Sequence, residues 1–567
     1  GGGRDNNIYA SFVSVIGGGD SNSHNESGSA FIGSGGSNKT KLSKYSTIAG
    51  GKDNFIILSN YSNIVGGRNN YVRSSTHSSI VGGKNNYIDS DNFYSYHQFI
   101  GGGKDNKLFG NTSDGLSNYS SIVGGEGNII SATTHSIIGG GEGNNINTVD
   151  DGGTSRAINQ FIGGGKENKI FSTTTTGGAN ISNYSSIVGG EGNIISASTG
   201  SFIGGGGGSF GRNRINNAND SVIGGGSYNT NNSERSFIGG GYGNVLEAIT
   251  FGFANTFIGG GSNNGINGGT SQKSLIVGGY YNTITSTQFS VIGGGGYNTI
   301  ISASTWSSIV GGDDNNIGGG VYNNQSIAAD RSFIGGGERN EIKVGHSFIG
   351  GGLLNEIQTS NNGTTNSIVG GESNTVSGNL SIVGGGKNNN IVNGWSNTVA
   401  GGFGNSTNAG GKNTIGGGDS NTINNVYYSS IGGGQSNTVN HSNSHIIGSN
   451  ITSVSANTTH VERFNIGTVT TGSTATEVLV LESNGMVNTS PLSSITGGLG
   501  GKYVESFSFT AATTSTITHN LGSEDVLVQV KDSTGELIIP NTVDNYTTNG
   551  VDIQVSSTET MRVIIIG

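Results

Sequence analysis

One stretch recurs along this chain and constrains its fold more than any other feature. It is an Ile, then Val or Gly, then Gly-Gly, two free positions, Asn, one free position and a second aliphatic residue. Ile64-Val65-Gly66-Gly67-Arg68-Asn69-Asn70-Tyr71-Val72 is a clear copy, and Ile80-Val81-Gly82-Gly83-Lys84-Asn85-Asn86-Tyr87-Ile88 follows it. About two dozen copies run as far as the one that begins at Ile431. The steps Ile48 to Ile64, Ile64 to Ile80 and Ile122 to Ile138 are each 16 residues; Ile334 to Ile349 is 15 and Ile368 to Ile382 is 14. A step this short does not hold a helical repeat, and Gly-Gly interrupts every apolar patch. The spacing therefore predicts one coil of a β-solenoid per copy. Each coil is expected to hold two short strands joined by a tight turn, with Gly supplying φ > 0 and Asn tolerating it. Longer steps carry inserts, such as 89–98 and 111–120.

Composition matters here because 108 of 567 residues are Gly, a proportion that otherwise signals disorder or collagen. The fixed spacing of the apolar residues excludes disorder for residues 11–447. Gly does not fall at every third position, which excludes collagen. Two dozen coils, each advancing one strand spacing of about 4.8 Å, make a rod on the order of 110 Å.

The residues on either side of the first Ile follow a rule. Where Val follows, a small polar residue precedes it: Asn63/Val65, Ser79/Val81, Ser121/Val123. Where Gly follows, a large apolar residue precedes it: Phe99/Gly101, Phe161/Gly163, Phe348/Gly350. Leu275/Val277 has both. On a strand these two positions share the face opposite the Ile. About one bulky group on that face in most coils implies that both faces of the strand are buried. One thin coil offers only two or three large apolar residues, so the second face is expected to be covered by other copies around a common axis, three of them.

The Ser-Ile-Val-Gly-Gly and Phe-Ile-Gly-Gly-Gly copies, over about three-quarters of the chain, resemble the head repeats of trimeric autotransporter adhesins and the related repeats of bacteriophage fibres. The resemblance implies a trimeric, left-handed parallel β-roll. The Gly-Gly-x-x-Asn signature departs from the commonest adhesin heads, which leaves the strand register open. After Ile446-Ile447-Gly448 the pattern decays. Glu477 to Val487 predicts a strand, an Asn484-Gly485 turn and a return strand, and Pro491 with the glycines of 497–501 marks a linker. Residues 502–567 alternate cleanly in Val526–Val530, Val551–Val555 and Met561–Ile565, with Phe507, Phe509, Ile517, Leu537 and Ile539 completing a core. This predicts a small antiparallel β-sandwich. Its string Ile517-Thr518-His519-Asn520-Leu521-Gly522, followed by Asp532-Ser533-Thr534-Gly535, resembles C-terminal modules of phage tail fibres and other virion appendages. The expected organisation is an N-terminal connection (1–10), a β-roll array (11–447), a transition with a hairpin (448–501) and the β-sandwich (502–567). Gly1 in place of an initiator Met leads us to expect a segment upstream.

Chemistry-bearing patterns are few. There is no Cys, hence neither disulfide nor thiolate metal site. His441 and His445 have a His-x-x-x-His spacing that pairs ligands only on a helix, and they sit in the β array. His77 and His135 occupy equivalent coil positions. Asp150-Asp151 and Asp313-Asp314 read as solvated turns. No catalytic set, cofactor or metal site is expected. A net charge of −10, spread over only 11% charged residues, argues against a nucleic-acid groove, and no apolar run is long enough for a membrane helix. Exposed aromatics are the binding candidates, because sugar faces stack on rings: Tyr94, Tyr96, Trp306, Trp395, Tyr427 and Tyr428 along the array, with Tyr503, His519 and Tyr546 at the C-terminal module. The expected function is a trimeric fibre on the surface of a phage virion. It would join other virion proteins at its N-terminal end and hold host glycan or protein elsewhere. The rival expectations are a bacterial surface adhesin, a passive capsid fibre and a polysaccharide-degrading spike.

Overall fold

The computed structural model describes residues 2–90, 95–110, 118–148, 157–175, 178–247, 254–302, 304–322, 325–358, 365–463, 465, 477–481, 487–491, 502–522, 526–547 and 549–566. Among these there are strands and no helix. The chain divides into two compact units, residues 1–463 and 464–567.

The first unit is a parallel β-solenoid of about 26 coils, a stack about 120 Å long at one strand spacing per coil. A standard coil has two strands. The first carries the Ile before Gly-Gly (Asn63–Ile64) and the second carries the aliphatic residue after Asn (Tyr71–Arg73). Each pairs in parallel with its counterpart one coil on, Ile64 opposite Ile80 and Val72 opposite Ile88. The ladder already includes Asn7–Tyr9, paired with Ser23–Asn25, and continues to Thr459–Val461. Asn7–Tyr9, within the stretch expected as an N-terminal connection, is thus a strand of the ladder. One register also shifts: Val383, not Ile382, is the buried residue of its coil. Ile382 takes the place that Phe holds elsewhere, ahead of Gly384-Gly385-Gly386.

A coil this thin closes its own core by lining it with ladders. Ile64 and Val72 are fully buried, and so is the Asn70 between them. Asn70 Nδ2 donates to Gly66 O (2.9 Å) and across the coil boundary to Gly83 O (3.1 Å), and its Oδ1 accepts the N–H of Asn86 (3.1 Å). The same three bonds repeat from Asn22 onward, satisfying backbone groups that have no water. A Ser ladder does the same at the far side: Ser62 Oγ donates to Ser75 O (2.8 Å) and accepts the N–H of Ser78 (3.2 Å). The second Gly of the signature is required by this stacking. A Cβ on Gly67 (φ +88°) would lie 2.2 Å from Gly83 O and 2.5 Å from Asn70 Nδ2.

The flanking-residue rule has a local cause. In the Phe coils the ring lies across the Gly two residues on: a Cβ on Gly101 would be 3.3 Å from Phe99 Cε1 and 2.3 Å from Val123 O. The next coil's backbone leaves no room for a Cβ there, as it does at Gly416, which has no ring beside it, and the Phe ring lies over the space the missing side chain leaves. The expectation that both faces are buried is not met within one chain. Phe161 remains 39% exposed and Val65 53%.

The second unit has a hairpin, Glu477–Leu481 antiparallel to Val487–Pro491, and the C-terminal module. In the module a four-stranded antiparallel sheet runs in the order Lys502–Phe509, Glu559–Ile566, Leu527–Lys531, Leu537–Ile538. A three-stranded sheet runs Thr514–Thr518, Gly550–Gln554, Thr542–Thr547. Phe509, Val530, Met561 and Val563 from the first share one core with Ile517, Val551 and Ile553 from the second. Leu537 and Ile539, expected in that core, are exposed, and Ile538 packs against it instead. Side chains alternate along a strand, so a shift of one residue reverses both faces.

Candidate functional site

The aromatic residues of the array gather along one corner of the solenoid. Each standard coil turns this corner on the residue three positions before the first-sheet aliphatic: Tyr45, Tyr61, His77, His97, Tyr119 and His135 precede Ile48, Ile64, Ile80, Ile100, Ile122 and Ile138. All six have left-handed φ between 53° and 57°, a conformation that costs a non-Gly residue about 1–2 kcal/mol. Cross-coil bonds hold it: the N–H of Tyr61 donates to Lys44 O (2.9 Å) and that of His77 to Asn60 O (3.0 Å). Because successive corners are one strand spacing apart, the side chains meet face to face. Ring centroids are 4.9 Å apart for Tyr45–Tyr61 and Tyr61–His77, 5.1 Å for His77–His97, 4.9 Å for His97–Tyr119 and 5.0 Å for Tyr119–His135.

Farther along, the same corner carries Lys273, Phe289 and Trp306. Trp306 stacks on Phe289 at 4.1 Å, with Lys273 Nζ 5.0 Å above the Phe289 ring. Farther still it carries Lys412 and Tyr428. Lys412 Nζ lies 5.0 Å over the Trp395 ring and 4.8 Å over the Tyr428 ring, and donates to Tyr428 Oη (3.2 Å). Trp395, Gly411 and Tyr427 occupy one column in successive coils. The Trp395 ring extends across Gly411, where a Cβ would be 2.3 Å from its Nε1. The fold thus brings Trp395 and Tyr428 together around one ammonium group, with Tyr427 two coils beyond Trp395 in the same column. Rings and cation attract through the ring quadrupole, and all three aromatic side chains remain exposed. Such a cluster offers a sugar both an apolar surface and a charged donor.

The other candidates are dispersed. Tyr96 is exposed on Ser95–Tyr96, paired with Ser75–Thr76. Tyr94 lies outside the described residues, as do Asp150 and Asp151. Tyr503 and Tyr546 fall on strands of different sheets. Burial and then Glu505, which accepts from its hydroxyl, push the Tyr503 phenol up to about 12. His519 is buried at 3% exposure, and its Nδ1 accepts the Leu521 N–H (3.1 Å). It therefore supports the turn and does not line an exposed tip. His441 and His445 bond to different hydroxyls, Ser453 and Ser430. Asp314 faces Arg339 at 3.6 Å. Among the described residues no group of three or more His, Asp or Glu is placed to hold a metal ion, and no helix is long and apolar enough to cross a membrane.

Lys412, Gly411, Phe289 and Lys273 were not among the expected site residues. Reading the column three places before each core Ile finds Lys273, Phe289, Lys412 and both ring stacks in the sequence.

The chain matches no family model, and no curated protein matches its sequence. Its class rests on the architecture, a repetitive parallel β-solenoid followed by an antiparallel β-module.

Proposed function

We propose that the chain is a structural fibre subunit of a bacteriophage virion, a tail fibre or similar appendage, that works as a parallel homotrimer and mediates adhesion to the host surface. The observation that carries this reading is an exposed apolar stripe. Outward residues beside the first-sheet aliphatic, among them Val65, Val81, Phe99, Val123, Phe161, Phe202, Phe257 and Phe348, form one line along the rod. Nineteen such residues are exposed. Together they present on the order of 1,000 Å², above the largest apolar patch of an ordinary monomer. The stripe is straight, with one bulky group in most coils. A partner covering its length needs the same pitch, and a second copy in parallel register has it. Three copies around the axis follow from the resemblance to trimeric β-rolls.

The virion setting is supported by the resemblance of residues 502–567 to tail-fibre modules. In it the N-terminal end joins other virion proteins, while the aromatic corners and the C-terminal module meet host glycan or protein. Three copies per fibre turn weak contacts into avidity. Light scattering on the purified chain should return three times 57.4 kDa, and a monomer mass would sink the stripe argument. Immunogold labelling with antibody against residues 502–567 should decorate particles. Gold on cells alone would replace the virus by a bacterial adhesin.

A further inference from the structure

The column four residues after each first-sheet aliphatic faces outward at the Gly-Gly corner, and in four successive coils it is basic. Lys52, Arg68, Lys84 and Lys104 pair one above the next in parallel bridges, and all four are exposed. Three positions on, the second strand carries Lys39, Phe55, Tyr71, Tyr87 and Lys107 in register. Phe55, Tyr71 and Tyr87 stack at 5.3 and 4.9 Å. The segment is a charge anomaly. Residues 37–110 hold nine Lys and Arg against four Asp, a net of +5, so the rest of a chain whose net charge is −10 carries −15. The whole-chain balance conceals this.

Like charges one strand spacing apart destabilise a sheet, so the row does not serve the fold. Its counter-charges are sparse. Arg68 Nε lies 3.9 Å from Asp53, and Lys104 pairs with Glu126 and with Asp105 (3.5 Å). Neither Lys52 nor Lys84 forms an ion pair among the described residues. Asp105 is held below the usual carboxylate range by the Asn85 amide (2.9 Å) and then by Lys104 and Lys84.

We infer that this row is a docking line for an acidic polysaccharide, a chain carrying carboxylates along a single strand. The row is one charge wide and straight, and it runs beside half-buried rings, which suits an extended sugar chain with an anion on one edge. Duplex DNA fits less well, since Asp53 and Asp105 flank the row and the acidic remainder of the rod repels a dense phosphate backbone. The inference names the glycan class for the adhesion proposed above and rests on that reading for its setting. Binding is measured on the purified chain, so its failure leaves the stripe and the virion assignment standing.

The test passes the full chain over immobilised polygalacturonate, with neutral dextran and mixed-sequence duplex DNA as comparators, across a salt series. The expected result is retention on polygalacturonate that weakens with salt, and none on dextran. The variant combining Lys52→Gln, Arg68→Gln, Lys84→Gln and Lys104→Gln should bind about 16- to 80-fold more weakly, at about two- to threefold per exposed contact. Lys166→Gln with Lys387→Gln, in the same column outside the segment, should bind as the parent does. The single reversal Lys84→Glu covers the case in which the quadruple variant misfolds, and should itself weaken binding severalfold. No retention of the parent, equal loss in the control pair, an unaffected Lys84→Glu, or duplex DNA held as tightly as polygalacturonate would each overturn the proposal.

Discussion

Replacing Asn70 with Ala tests the claim that the solenoid core is held as much by amide ladders as by Ile. The substitution removes three hydrogen bonds whose consequences differ. Gly83 O keeps a second donor, the N–H of Arg68 at 2.9 Å, so its loss is small. The N–H of Asn86 has Asn70 Oδ1 as its partner at 3.1 Å, within a fully buried residue, and Gly66 O has Asn70 Nδ2 at 2.9 Å. A buried group left without a partner costs about 1–3 kcal/mol, and Gly66, being half-buried, can turn its carbonyl to water, so the coil boundary between Asn70 and Asn86 should weaken by about 1–3 kcal/mol. Long repeat arrays do not unfold in one step, and a single melting temperature is a poor readout. Native-state hydrogen exchange is the better assay. Protection of amides 63–90 should fall by about one to two orders of magnitude, while distant coils around Ile334 keep theirs. Asn69→Gly is the matched control: the residue is exposed, its φ of 57° suits Gly, and exchange should change little. If the exchange of Asn70→Ala matches that of Asn69→Gly, the Asn ladder is incidental and the aliphatic residues alone hold the stack.

Phe161→Asp should lower the mass measured by light scattering toward that of one chain, since burying the ring's remaining surface is worth about 2 kcal/mol per copy; an unchanged mass would place the interface elsewhere. Trp395→Ala should abolish any glycan-induced change in the emission assigned to that residue, with Trp306, the second of the two Trp, as internal reference. The N-terminal coils should loosen in acid. His24 is buried, with Nε2–H donating to Val15 O (2.9 Å) and Nδ1 accepting from Thr40 (2.5 Å), and burial lowers its pKa below 6.5. The folded coil therefore favours the neutral ring. Its contribution is complete above about pH 6.5 and is lost as pH falls below that value, because the unfolded chain takes up the proton first. Hydrogen exchange over residues 7–41, corrected for intrinsic rate, should show this loss, and His24→Thr, the residue Thr40 supplies one coil on, should remove it.

Inward positions were largely legible in the sequence and outward ones were not, for a physical reason. Ile, Gly-Gly and Asn recur because the stack leaves room for one residue type at each: Gly67 for the approach of Gly83 O, Asn70 for three bonds at once. That periodicity gave the coil, its two strands and its turn. It did not give the left-handed corners, because Tyr61, His77 and Trp306 are residues that rarely adopt φ near 60° and their conformation is imposed from the neighbouring coil. The Phe–Gly rule was visible, but its cause was misplaced: the next coil's backbone leaves no room for a Cβ at the Gly, and within one chain the face remains exposed. Ile382 was taken for the buried residue of its coil because it is an Ile, although the Gly triplet after Val383 sets the register. In the C-terminal module the alternation was clear and the phase of one short strand, Leu537–Ile538, was not.

The separation of inward from outward positions also explains how such a rod acquires surface. In a globular domain a patch is assembled from distant segments, so changing it disturbs packing. Here every outward residue repeats at one strand spacing, and a preference at a single column becomes a line without altering the core. Three columns show it. The positions beside Ile64 form an apolar line, the position three before it a line of rings, and the position four after it a basic line from Lys52 to Lys104. The lines differ in extent. The apolar one runs from Val15 to Ile382, broken at the Ile48 coil, and lapses over the coils of Val399, Ile415 and Ile431, where Thr398, Thr414 and Ser430 stand in its place. The basic one stops after Lys104, where Glu126 and Glu142 follow in the same column. A line that joins copies has to extend over most of the rod, whereas a line that meets a ligand needs only the ligand's length, and the extent of each column separates the two roles.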